Sequence, residues 1–145
     1  SIDPNLILDR VDLKKKKDSY FKTLSGGQKQ RLSIAVALVN DPKVLFFDEP
    51  TTGLDPQARR NLWELIKSFQ GEGKTIVLTT HYMEEAEELC DRVAIIDEGK
   101  IIKIDSPSNL IDELTKTGFK TTKKIKEATL EDVFISLTGK SLREE

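Results

Sequence analysis

The chain has 145 residues, a net charge of −2, 37% hydrophobic and 33% charged residues, and one cysteine. A domain of this size buries enough surface for a genuine core, its apolar runs are too short to cross a bilayer, and its balance of charge and hydrophobicity excludes an intrinsically disordered chain. The mildly acidic total argues against a broad nucleic-acid surface, the lone Cys90 excludes an intrachain disulfide and suits a reducing compartment, and no charged-then-apolar opening marks a signal peptide.

Ser1, not methionine, opens the chain, as in a processed or shortened product. Asn5 to Leu13 then predicts a short helix, and a basic run follows from Lys14 to Lys17. That run reads either as a solvated face or as a phosphate-binding patch. Thr23-Leu24-Ser25-Gly26-Gly27-Gln28 precedes a helical pattern in which Leu32, Ala35, Val36 and Val39 share a face. Asn40-Asp41-Pro42 ends it, because proline cannot continue the hydrogen-bond ladder. Val44 to Phe47 is a continuous apolar run suited to a buried parallel strand.

Asp55-Pro56 opens another helix, with aspartate at the N-cap and proline at the first helical position. Its apolar stripe is Ala58, Leu62, Leu65, Ile66 and Phe69, and Gly71-Glu72-Gly73 breaks it. Thr75 to Thr80 predicts a second buried strand, and Met83 to Cys90 a short glutamate-rich helix. Val93 to Ile96 is a third strand, turned by Glu98-Gly99 into Ile101 to Ile104. A helix follows Ser106-Pro107 to about Leu114, and Thr115 to Lys126 reads as a loop. Thr129 with Asp132 resembles the cap of a last helix. Leu130, Val133, Phe134 and Leu137 form its apolar face, and Gly139 suits its end. This alternation predicts an α/β layered fold.

Three places carry chemistry. Phe46-Phe47-Asp48-Glu49-Pro50 puts an acidic pair at the C-terminal end of an apolar strand, where open α/β sheets bind ligands. Asp48 can hold Mg²⁺, a hard cation that takes oxygen ligands, and Glu49 can polarise a water for attack on a phosphoryl group. Two carboxylates can equally end a strand and meet solvent. His81, the sole histidine, ends the next strand after Thr79-Thr80 and can donate to a phosphate oxygen, although a lone histidine is more often a surface residue. Ser25-Gly26-Gly27 offers a hydroxyl and open backbone N–H groups at a helix N-terminus, which favours phosphate, and glycine permits close approach. Alone, such a triplet is common in loops.

Taken together and in order, Leu24-Ser25-Gly26-Gly27-Gln28, the strand ending Asp48-Glu49-Pro50, Thr51-Thr52-Gly53-Leu54-Asp55-Pro56 and Thr79-Thr80-His81 strongly resemble the ATP-binding cassette (ABC) ATPase family. The resemblance covers about Asn5 to Glu145 and implies a partial P-loop NTPase sheet with a helical signature subdomain. It implies a cassette region at 1–114, with the signature subdomain at about 1–41 and a catalytic core at about 42–105, then an accessory tail with one helix at 115–145. Implied cofactors are ATP and Mg²⁺. Ser25, Gly26, Gly27 and Gln28 match the family signature, which contacts the γ-phosphate of ATP held by the opposite subunit. Asp48 matches the Walker B aspartate that positions Mg²⁺, and Glu49 the catalytic glutamate that orients the attacking water. Asp55 matches the D-loop aspartate at the dimer interface, and His81 the switch histidine that reads the γ-phosphate.

The implied partners are a second ATPase subunit and membrane-spanning permease subunits, at the cytoplasmic face of the membrane and with no nucleic acid. Thr79 to Glu87 and Leu130 to Gly139 further resemble the drug-resistance and multidrug-export branch, although amphipathic helices of any transporter cassette read alike.

No G-x-x-x-x-G-K-[ST] phosphate loop occurs in these residues. Gly71-Glu72-Gly73-Lys74-Thr75 ends correctly, but Ser68 stands where the first glycine belongs, and the segment runs from helix into strand. The resemblance therefore implies the C-terminal half of a cassette, in which the phosphate-loop strand lies between Thr75–Thr80 and Val93–Ile96. Those strands are expected to pair with each other, to pair with another chain, or to leave open edges that favour self-association. The chain alone is expected not to hydrolyse ATP. Two readings compete with the transporter. A non-transport ABC ATPase of DNA repair or ribosomes would carry long coiled coils or paired cassettes, which are not found here. A regulatory domain with vestigial ATPase residues sits poorly with intact Glu49 and His81.

Overall fold

The computed structural model describes residues 3–118 and 130–139. The chain divides into two compact units, one ending at Thr79 and the other beginning at Thr80.

The first unit contains α1 (Pro4–Arg10), α2 (Gly26–Leu38), β1 (Val44–Asp48), α3 (Pro56–Gly71) and β2 (Thr75–Thr79). Asp3 caps α1 by accepting from the Asn5 N–H, and Pro4 takes the first helical position. The helix stops at Arg10, short of the expected Leu13, because Asp12 adopts a left-handed φ of 54°. Aspartate tolerates that region, and the chain turns there. Ile7, Val11 and Leu13 are nonetheless buried.

The α2 helix forms as expected, but its buried face is Ile34, Ala35 and Leu38. Val36 is 66% exposed and Val39 is exposed too, so the expected face is corrected. The reason is visible in the run from Ile34 to Val39, which is apolar all round. A helical period selects no face in such a run, and packing does.

The β1 and β2 strands pair in parallel, with Phe46 opposite Val77 and Asp48 opposite Thr79. Uniform burial was expected of both, and neither shows it. Leu45 and Phe47 are buried, whereas Val44 and Phe46 (77% exposed) form an open face with Val77. Only one face of this two-stranded sheet is packed, so burial follows the period of two.

Asp55 caps α3 and Pro56 starts it. Leu62, Ile66 and Phe69 are buried as expected, and Trp63 joins them. Arg10 closes the end of α3: its Nη2 donates to both Glu72 carboxylate oxygens at 2.5 and 2.6 Å. Its guanidinium also lies 5.3 Å from the Phe69 ring centroid.

The second unit contains α4 (Met83–Leu89), β3 (Val93–Asp97), β4 (Lys100–Asp105), α5 (Pro107–Lys116) and α6 (Leu130–Thr138). The β3–β4 pair is an antiparallel hairpin with Asp97 opposite Lys100. Glu98 and Gly99 both have positive φ, 49° and 74°, which is what a two-residue hairpin turn needs to match strand twist. Ser106 caps α5. Ala86, Ile95, Leu110, Leu114, Leu130 and Val133 make one buried cluster. The Leu130 N–H donates to the Glu87 carboxylate at 2.6 Å, which ties α4 to the start of α6.

Of the expected α6 face, Leu130 and Val133 are buried and Leu137 is exposed. The Gly139 N–H returns to the Ile135 carbonyl with a positive φ of 68° at Gly139, as a helix stop requires. Thr129, the Asp132 side chain and most of the expected loop from Thr115 to Lys126 lie outside the described residues. Among the described residues β2 pairs with β1 alone and β3 with β4 alone, so the expected pairing of β2 and β3 with each other does not occur. Among the described residues no helix is long and apolar enough to cross a membrane.

Burial pushes the Cys90 thiol up to about 11, with the Glu85 and Asp91 carboxylates adding to it. A raised value means that the folded state favours the protonated thiol. Stability from this group is therefore lost as pH rises from the ordinary thiol range toward 11. Alkylation of Cys90 by iodoacetamide near neutral pH is expected to run about a hundredfold slower than for a free thiol. A rate matching that of the urea-unfolded chain would contradict this burial.

Candidate functional site

Asp48 is the last residue of β1, and its Oδ1 accepts the Thr79 hydroxyl at 2.5 Å. Glu49 leaves the strand with φ of 44°. For a glutamate this left-handed backbone costs about 1–2 kcal/mol. Thr79 holds it there: the Glu49 N–H donates to the Thr79 carbonyl at 3.0 Å and to its Oγ1 at 3.2 Å. The Thr52 hydroxyl donates to Glu49 Oε2 at 3.2 Å. Pro50 and Thr51, both fully buried, pin the turn beneath. One threonine on β2 thus holds the Asp48 carboxylate and the Glu49 backbone, while both carboxylates stay exposed to solvent. Thr79 appears in the sequence reading only as a neighbour of His81, since its role follows from strand register.

Ser25 caps α2 reciprocally with Gln28. Ser25 Oγ accepts from the Gln28 N–H at 3.3 Å, and Gln28 Oε1 accepts from the Ser25 N–H at 3.0 Å. Gln28 is thereby committed to the helix start. Gly26 and Gly27, the first two helical residues, are left with N–H groups that have no intrahelical partner. A side chain at Gly26 would meet nothing within 4 Å. One at Gly27 would meet Ala58 and Leu54 at 3.8 Å, which marks the close approach of α2 to α3. Between these helices lies a cavity of about 280 Å³ lined by Ser25, Gly27, Gln28, Arg31, Asp55 and Asn61, among others. Asp55 Oδ1 accepts from the Gln57 and Ala58 N–H groups at 3.0 and 2.9 Å, so it is fixed as the cap of α3.

The structure therefore brings Ser25, Gly27, Gln28 and Asp55 to one cavity, which Asp48 and Glu49 do not line. Arg31 and Asn61 were not singled out from the sequence, because they become neighbours only once α2 and α3 pack. Arg31 is held by Asp12 at 3.1 Å. His81 belongs to the second unit, where it is half-buried with its ring 4.2 Å from that of Tyr82. Among the described residues no three metal-ligating side chains cluster. The exposed Asp48 carboxylate at the end of β1 is an oxygen ligand of the kind Mg²⁺ takes, since that ion keeps several waters and needs only one or two carboxylates. Among the described residues the Thr79 bond falls on Asp48 Oδ1, which leaves Oδ2 to suit that use.

A family model described as "AAA domain, putative AbiEii toxin, Type IV TA system" matches residues 4–85, more than half of the chain. The chain belongs to this AAA-domain family. Its curated relatives include the Nod factor export ATP-binding protein I of Paraburkholderia xenovorans, 56% identical over 105 residues, which are 72% of this chain and 34% of that protein. The Rhizobium etli protein of the same name is 52% identical over 108 residues, 74% of this chain and 34% of its own length. The AAA-domain chain thus spans about a third of the length of the curated relatives it matches.

Among solved structures, an ATP-binding subunit of an ABC transporter aligns with a TM-score of 0.71 and 27% identity, over 92% of this chain and 52% of that one. An ATP-binding cassette of an ABC transporter aligns with a TM-score of 0.69 over 79% of this chain and 47% of that one, and at 23% identity it shows the fold alone. The AAA-domain chain therefore has the α/β ABC ATPase-like fold expected from its motifs, and the proteins it resembles include Nod factor export ATP-binding proteins and an ATP-binding subunit of an ABC transporter.

Within the AAA-domain match, Lys74 of the rejected phosphate-loop decoy has a structural task. Its ammonium pairs with the Asp41 carboxylate and donates to the Pro42 carbonyl at 3.1 Å. That hydrogen bond and charge hold the Asp41 carboxyl below its usual range. Lys74 fastens a loop.

Proposed function

We propose that this chain is the signature- and Walker B-bearing part of an ATP-hydrolysing subunit that powers export through an ABC transporter. The observation that carries this reading is the acidic pair at the end of β1, with Glu49 held in a left-handed turn by Thr79. The names of the relatives support export, and the likeness of Thr79 to Glu87 to the multidrug-export branch agrees with them.

Each residue then has a task. Mg²⁺-bound ATP would supply the electrophilic phosphorus and the leaving group. Asp48 would hold the cation through its free carboxylate oxygen or a water. Glu49 would orient the attacking water and take its proton. Ser25 and the Gly26 and Gly27 N–H groups, at the positive end of α2, would face the γ-phosphate of ATP on a second ATPase subunit. Gln28 would shape that face by holding Ser25. Asp55 would present the start of α3 at the same dimer interface, and His81 would donate to the γ-phosphate. The signature subdomain would occupy about residues 1–41, the catalytic core about 42–105 and the tail 115–145. The subunit would work at the cytoplasmic side of the membrane beneath permease subunits.

Since no phosphate loop occurs in these residues, the purified chain with Mg²⁺ and ATP is expected to show only background phosphate release. Release that Glu49→Gln abolishes would refute this. Joined to a phosphate-loop segment, the chain is expected to hydrolyse ATP. A folded, ATP-binding joined protein with no turnover would overturn the reading.

A further inference from the structure

The segment from Lys14 to Lys22 plays no part in the site above. It carries five lysines and one aspartate, net +4 in a chain whose total is −2. Its ends are anchored: Leu13 and Leu24 are buried. Between them every residue is exposed, in two short 3₁₀ turns at Lys14–Lys16 and Phe21–Thr23. Backbone bonds hold its shape, Ser19 N–H to Lys16 carbonyl at 2.9 Å and Thr23 N–H to Tyr20 carbonyl at 2.9 Å. The nearby acids are largely engaged. Asp9 lies 3.4 Å from Lys14, and Asp12 pairs with Arg31. Tyr20 stands 83% and Phe21 58% exposed in the middle of this charge, with the Lys29 ammonium 5.4 Å from the Phe21 ring centroid.

We infer that this loop docks on anionic phospholipid headgroups, with Lys15, Lys16, Lys17 and Lys22 facing the phosphates and the Tyr20 and Phe21 rings seated at the interface. A compact basic cluster is drawn to an anionic surface, and exposed rings among lysines prefer the headgroup level. A membrane fits better than RNA. All five cations are lysine, a point charge, and none is the planar arginine that reads phosphates and bases in a bidentate way. The inference goes beyond the transport reading, and its test needs neither ATP nor a permease, so either can fail without the other.

The test is co-sedimentation of the whole chain with phosphatidylcholine vesicles, with or without about 30% phosphatidylglycerol. Each lysine near such a surface contributes about fivefold in partitioning. Partitioning is expected to rise at least about tenfold with the anionic lipid and to fall with salt. Lys15→Ala, Lys16→Ala and Lys17→Ala combined should lower it about a hundredfold, whereas the same three changed to arginine should retain it. Tyr20→Ala should weaken binding without altering its salt dependence. All these side chains are exposed, and an unchanged circular dichroism spectrum confirms folding. Equal binding to both vesicle types, an unaffected triple-alanine variant, or release from vesicles by inorganic phosphate at millimolar levels would each overturn the inference. So would preferential capture of polyuridylate.

Discussion

Glu49→Gln, in a cassette that joins this chain to a phosphate loop, is expected to lower ATP turnover by about 10²–10⁴-fold, the usual worth of a positioned general base. ATP affinity should hardly change. The amide keeps the shape of the side chain and can still accept the Thr52 hydroxyl bond that Glu49 Oε2 accepts now. What it lacks is a lone pair basic enough to take a proton from water. Single-turnover hydrolysis and equilibrium nucleotide binding, measured side by side, separate the two effects. Retained turnover would remove Glu49 from the mechanism. Glu49→Gly adds a second arm. Glycine adopts φ of 44° without strain, so this variant should be about as stable as wild type or gain up to about 1 kcal/mol. It should nevertheless be inactive. A variant both less stable and active would show that the left-handed turn serves packing, not chemistry.

Phe69→Ala is expected to cost about 3–5 kcal/mol, a large part of the total stability of a domain this size. Phe69 is fully buried at the end of α3, and its ring also carries the Arg10 guanidinium. Truncation leaves a cavity and removes that contact together. Trp63 is the only tryptophan, is buried in the same helix, and so reports the loss by fluorescence during urea unfolding. Leu137→Ala, on an exposed side chain of α6, is the control and should stay within about 0.5 kcal/mol. A Phe69→Ala loss below about 1 kcal/mol would mean that α3 does not pack as described.

Much of the site was legible because its residues act over short distances. Ser25 reads as a cap because its partner, Gln28, is three residues on. Asp55 reads as a cap for the same reason, with the Gln57 and Ala58 N–H groups adjacent. Glu98-Gly99 reads as a turn because two residues with positive φ are all a hairpin of this kind requires. The apolar faces were less legible. The α3 stripe is interrupted by charge and reads nearly correctly, with only Trp63 missing. The α2 run is apolar on every side, so periodicity carried no information about which side is buried.

By itself, then, the sequence determined the order of the motifs, the caps and turns that start and stop the elements, and the acidic pair at a strand end. Each is set by chemistry among residues within a few positions of one another. Only the tertiary structure decided that Thr79 grips both Asp48 and Glu49, since that bond joins residues 31 apart and depends on the register of β1 against β2. It also decided that Arg31 and Asn61 share a cavity with the signature residues. Register and helix packing are collective outcomes of burying one sheet face and one helix face, and no local pattern encodes them.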